Sequence, residues 1–166
     1  MKIRKPSNGA ILLFTGIVFG GLYLMRDSIL SEPAPPFTLP DISGGKISLS
    51  SYSGRPVLLL FWTMSSSESR RELHVLNRVA PDLRSRGLEV LSVKVGTTGG
   101  VADYLRDYKI QLRTLLDTEA EVARAYGAAD VPRLVLIGPD GLVKRTASAE
   151  TPDNVLREWA ASVTGS

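Results

Sequence analysis

The chain has 166 residues, 43% hydrophobic and 22% charged, with 20 Lys and Arg against 17 Asp and Glu, one histidine and no cysteine. The missing cysteine excludes disulfides, thiolate metal sites and any sulfur nucleophile. A metal site would have to rest on carboxylates, and none cluster, so neither metal nor cofactor is expected.

Residues 1–8 carry Lys2, Arg4 and Lys5 without an acid, and residues 9–25 follow as an uncharged, mostly apolar run. At 1.5 Å per residue this run makes roughly 26 Å of helix, close to the hydrocarbon thickness of a bilayer. It reads as a transmembrane anchor or a signal peptide. The stretch Arg26 to Leu30 offers no small-x-small cleavage site, which favours an uncleaved single-pass anchor in the cytoplasmic (inner) membrane. The basic residues ahead of it place the N-terminus in the cytoplasm and the rest in the periplasm or outside the cell. Gly16-x-x-x-Gly20 is a weak signal for helix pairing within that span. Setting aside the three leading basic residues leaves bases and acids equal in number. The domain is therefore neutral and no nucleic-acid partner is expected.

Residues 26–36 are proline-rich and polar at their end, as in a short stiff linker, and one folded domain is expected over residues 37–164. Phe37 to Leu49 alternates apolar and polar residues about Gly44-Gly45, which predicts a β-hairpin. Val57 to Trp62 is almost uniformly apolar, as a strand buried on both faces must be. Ser65-x-x-Glu68 then reads as a capping box opening a helix. Leu73, Leu76, Val79 or Ala80, and Leu83 fall at helical spacing, and Pro81 is expected to kink or end that helix. Leu88 to Val95 reads as a parallel strand, Gly96 to Gly100 as a loop, and Val101 to Tyr108 as a helix packing Val101, Tyr104, Leu105 and Tyr108. Thr118-x-x-Glu121 is a second capping-box candidate. Leu134 to Ile137 reads as a buried strand, Pro139-Asp140-Gly141 as a hairpin turn, and Leu142 to Thr146 as the returning strand. Thr151-Pro152 is expected to cap a last helix that buries Val155, Leu156, Trp159 and Val163.

Phe61-Trp62 followed by Ser66-x-x-Ser69-Arg70-x-Glu72 resembles the segment F-W-A-x-W-C-x-x-C-R-x-E of the membrane-anchored thioredoxin-like proteins of the TlpA/ResA kind, within the redoxin (AhpC/TSA-like) group. Ser66 and Ser69 stand at the two cysteine positions. The opening from Phe37 to Val57 is similar to that family's P-x-F-x-L-x-D-x-x-G-x-x-x-x-L-x-x-Y-x-G-K-P-V, and Val131-Pro132-Arg133 to its V-P-T, whose proline is cis. The resemblance implies an α/β thioredoxin-like fold: a central mixed sheet flanked by helices, with an N-terminal β-hairpin, preceded by one transmembrane helix. It further implies a substrate or partner groove formed by Trp62, Ser65, Ser66, Ser69, Val131, Pro132 and Arg133. In that family an acidic residue in the loop after the second core strand aids proton transfer, and Thr97 stands at its place here. An engineered exchange of cysteine for serine would have kept the acid. Loss of both fits a lineage that left redox chemistry.

The serines do not make a hydrolase. A serine nucleophile needs an adjacent base, and eight residues along one helix put His74, the only histidine, roughly 12 Å from Ser66. Beside their role as a helix cap, the serines could hold an anion or a peptide carboxylate with Arg70 or Arg71. Trp62 is expected as core or site wall. Arg133 is expected either at the groove border or as a surface arginine. The function expected is a degenerate, non-redox binding or chaperone-like module for a periplasmic protein or peptide. The alternative is a thiol-disulfide oxidoreductase or antioxidant, active only if cysteines were native at 66 and 69.

Overall fold

The computed structural model describes residues 32–148 and 151–164; the expected anchor at 9–25 lies outside them. No helix among the described residues is long and apolar enough to cross a membrane. The strands are β1 (Thr38–Pro40), β2 (Lys46–Ser48), β3 (Val57–Trp62), β4 (Glu89–Val95), β5 (Arg113–Asp117), β6 (Arg133–Ile137) and β7 (Val143–Ala147). The helices are α1 (Ser67–Ser85), α2 (Val101–Asp107), α3 (Glu121–Ala125) and α4 (Asp153–Thr164).

All six side chains of β3 are buried, because β3 lies in the middle of a sheet ordered β5-β4-β3-β6-β7. It runs parallel to β4 and antiparallel to β6. Leu58, Leu60 and Trp62 meet α1, α2 and α4 on one face. Val57, Leu59 and Phe61 meet Phe37, Leu39, Ala123 and Tyr126 on the other. Each fully buried leucine contributes about 2 kcal/mol, so this strand anchors both layers of the core.

The hairpin β1-β2 forms with its own antiparallel register, Leu39 opposite Ile47. Its turn needs Gly44, whose φ of +93° suits glycine, while Asp41 Oδ1 accepts from the Ser43 N–H, the Ser43 hydroxyl and the Gly45 N–H. The end of the proline-rich stretch is not a free linker. Pro33 bridges Leu142, the Ala34 N–H donates to Gly141 O at 2.9 Å, and the Tyr126 hydroxyl donates to Pro35 O at 2.7 Å. Residues 33–35 thus already contact the domain, ahead of Phe37.

Four local expectations are corrected. Helix α1 does not end at Pro81 but runs on to Ser85; the proline is exposed, and buried Val79, Ala80 and Leu83 hold the helix on either side of it. Thr118 does not cap α3, whose N-cap is Ala120; Asp117 Oδ2 instead accepts from the Ala123 N–H at 2.7 Å. Helix α4 starts one residue beyond Pro152, whose carbonyl accepts from Val155 and Leu156. The Thr151 N–H donates to Glu72 Oε2 at 3.2 Å. Tyr108 is 58% exposed rather than packed beneath α2.

Candidate functional site

The serine turn forms where β3 leaves the sheet. The capping residue is Ser66, one later than expected: its backbone is extended at φ −90°, ψ 125°, and its Oγ accepts from the Ser69 N–H at 3.0 Å. Glu68 does not reach back to a cap N–H as in a capping box. Its carboxylate accepts from the Ser66 hydroxyl at 3.1 Å and the Ser67 hydroxyl at 3.0 Å. The backbone N–H of Glu68 itself, then the Ser67 and Ser66 hydroxyls, hold this carboxyl below its ordinary value of 4.5. The place where a helix start would favour an external anion is therefore held by the chain's own carboxylate.

The arginines expected to assist an anion have other partners. The Arg70 guanidinium donates to Met64 O, and Arg71 lies 3.6 Å from Glu68. Ser65 is exposed, its hydroxyl 3.1 Å from that of Thr63. Ser69 is fully buried, and its Oγ has no hydrogen-bond partner. Trp62 is fully buried, so it backs the site from the core and lines no open groove; its Nε1 is likewise without a partner. Its ring lies 6.1 Å from that of Tyr104. His74 is engaged by the Tyr104 hydroxyl at 3.0 Å.

The Val131-Pro132 bond is cis, and β6 starts directly after it with Arg133 opposite Phe61 of β3. Adjacent strands lie about 4.8 Å apart, so the register carries Val131 and Pro132 to the same end of the sheet as Thr63 and Met64. Pro132 is buried and Val131 half-buried. The Arg133 guanidinium points away along the sheet, donating to Ser148 Oγ at 2.8 Å and Thr146 Oγ1 at 3.3 Å. Its placement follows neither expectation cleanly: half-buried, it braces β7 and its Nε is buried without a partner.

Lys94 is the residue that sequence reasoning missed. It pairs with Trp62 in the β3-β4 register and is 3% exposed, and its Nζ donates to Val95 O and Thr97 O at 2.7 Å each. The signal was present, since a lysine follows Leu88, Val90 and Ser92 at strand spacing on a buried face. Thr97, expected near the site, meets it through its carbonyl. Glu72, matched to the family only as a motif letter, is fully buried and ties α1 to the approach of α4 through Thr151.

Comparison with known proteins agrees with this architecture. The chain is similar to thiol-disulfide oxidoreductase ResA of Bacillus subtilis, 26% identical over 144 residues covering 86% of this chain and 80% of that one. Its likeness to ResA of Geobacillus kaustophilus is 31% over 117 residues, 70% of this chain and 67% of the relative. Among solved structures, a thiol:disulfide interchange protein DsbE from Chlorobium tepidum superposes with a TM-score of 0.74 at 24% identity, covering 81% of this chain and 97% of that one. That neighbour bears on the fold alone, which is thioredoxin-like. The family model of the AhpC/TSA family matches residues 30–146. A match running from the strand pairing at Pro33 through the serine turn and the cis proline to β7 makes this chain a member of the AhpC/TSA family.

Proposed function

We propose that this chain is a thioredoxin-fold binding module without redox activity, held at the outer face of the cytoplasmic membrane by residues 9–25. It engages an extended segment of a periplasmic protein along the end of the sheet between the serine turn and Pro132. The observation that carries this reading is the chemistry at 66 and 69: the scaffold that positions a dithiol in its relatives carries two hydroxyls, and the whole sequence contains no cysteine. A hydroxyl neither forms the attacking thiolate nor stores a disulfide. Val131 is half-buried and lies just ahead of the β3-β6 register, and its backbone is the strand edge to which such a peptide would add. The competing reading, thiol-disulfide exchange as the ResA relatives' name describes, predicts turnover in insulin-reduction and peroxide-consumption assays.

Neither assay is expected to rise above buffer. A photo-crosslinking residue at exposed position 65 of the full-length chain is expected to trap a protein in cells, and Pro132→Ala to abolish the adduct. Crosslinking indifferent to Pro132, or redox turnover by this cysteine-free protein, overturns the reading.

A further inference from the structure

Lys94 is a buried cation that the family motif does not explain. An ammonium carries three donors. Two of them reach the Val95 and Thr97 carbonyl oxygens at 2.7 Å, and among the described residues no carboxylate pairs with it. Buried charges are ordinarily neutralised by an opposite charge, yet only carbonyl dipoles compensate this one. Burial pushes its amine below the usual lysine range.

Lys94 also lines an open pocket, together with Thr63, Met64, Ser65, Thr97 and Gly99. With Val95 and Gly96, all seven other lining residues are uncharged, and three bear hydroxyls. The Thr63 and Ser65 hydroxyls share one hydrogen bond, which leaves one of their two protons to donate outward. The nearby Glu68 carboxylate is engaged by Ser66 and Ser67. The pocket is therefore lined by Lys94, whose ammonium has one donor left over, and by the Thr63, Ser65 and Thr97 hydroxyls, with no anion among its lining residues.

We propose that this pocket binds a carboxylate, with the Lys94 ammonium as its charge partner and the hydroxyls of Thr63, Ser65 and Thr97 as supporting donors. Ser65 belongs both to this pocket and to the serine turn. A peptide paired beside Val131 would place an acidic side chain or its C-terminal carboxylate there, a step that rests on the groove proposed above. The carboxylate site itself does not depend on it.

The probe is sodium acetate, titrated into the full chain against sodium chloride at equal ionic strength and followed by the backbone amide shifts of Gly96, Thr97 and Gly99. Saturable shifts specific to acetate are expected. Lys94→Met is expected to weaken binding at least tenfold, and Lys94→Arg, which keeps the charge, to stay within about threefold. Should Lys94→Met fail to fold, Lys94→Gln, which keeps donors without charge, is expected to show the same tenfold loss. Shifts that track chloride, that do not saturate, or that persist unchanged without the charge overturn the inference. Pro132→Ala separates the two proposals, since acetate affinity is expected to be unaffected by it. Loss of acetate binding with Pro132-dependent crosslinking intact removes the carboxylate site alone. Acetate binding without any crosslink removes the groove.

Discussion

Ser66 and Ser69 are chemically identical and three residues apart, yet their replacement by alanine is expected to move stability in opposite directions. Ser69 is fully buried with its hydroxyl unpartnered. A buried polar group left unsatisfied costs about 1–3 kcal/mol. Removing the oxygen leaves a void on the order of 10 Å³, worth about 0.2 kcal/mol at roughly 24 cal/mol per Å³, and alanine is the better helix former. Ser69→Ala should therefore stabilise by about 1–2 kcal/mol. Ser66 is the N-cap, accepting from the Ser69 N–H at 3.0 Å, and loss of such a cap costs about 1 kcal/mol. For a domain of this size each kcal/mol moves the thermal midpoint by about 3–4 °C, so calorimetry should find Ser69→Ala above the parent and Ser66→Ala below it. A lower midpoint for Ser69→Ala would show that its hydroxyl is hydrogen-bonded. No change for Ser66→Ala would show that the cap does not form.

Ser66→Cys combined with Ser69→Cys is expected to form a disulfide in air, one helical turn being a spacing that a disulfide can close. In the reduced double variant only the thiol at half-buried position 66 should alkylate, while insulin reduction stays weak because Thr97 cannot relay a proton; a thiol titration that never falls on oxidation refutes the assigned turn. Glu68, whose carboxyl is held below 4.5 by its own N–H and the Ser67 and Ser66 hydroxyls, stabilises the start of α1 above that value. The contribution is lost as pH falls through the lowered folded-state pKa, so the parent should lose midpoint in that window and Glu68→Gln should lose less. Asp41→Ala removes the acceptor shared by Ser43 and Gly45 and should speed amide exchange at both; unchanged protection would mean the hairpin turn holds without it.

The strands, the hairpin and the long faces of α1 and α4 were legible in the sequence because local periodicity records burial: an uninterrupted apolar run at Val57 to Trp62 has only the middle of a sheet to go to. The lack of any cysteine was also plain there, by composition alone. Capping was less legible. Whether Ser65 or Ser66 closes the helix depends on where β3 leaves the sheet, and Thr118 yields to Asp117 because the carboxylate of a neighbouring strand end reaches the third residue of α3. Pro81 is tolerated because its ring faces solvent while Val79, Ala80 and Leu83 are held by the core. The remaining features joined residues far apart in the chain. Glu72 meets Thr151 across 79 positions, Pro33 pairs with Leu142, and Arg133 turns to β7 instead of the groove. Lys94 becomes a buried cation only because β4 lies beside Trp62 and beneath α1 and α2. No spacing along a chain encodes which of two like serines is sealed from water, since burial is decided by what the rest of the fold lays over it.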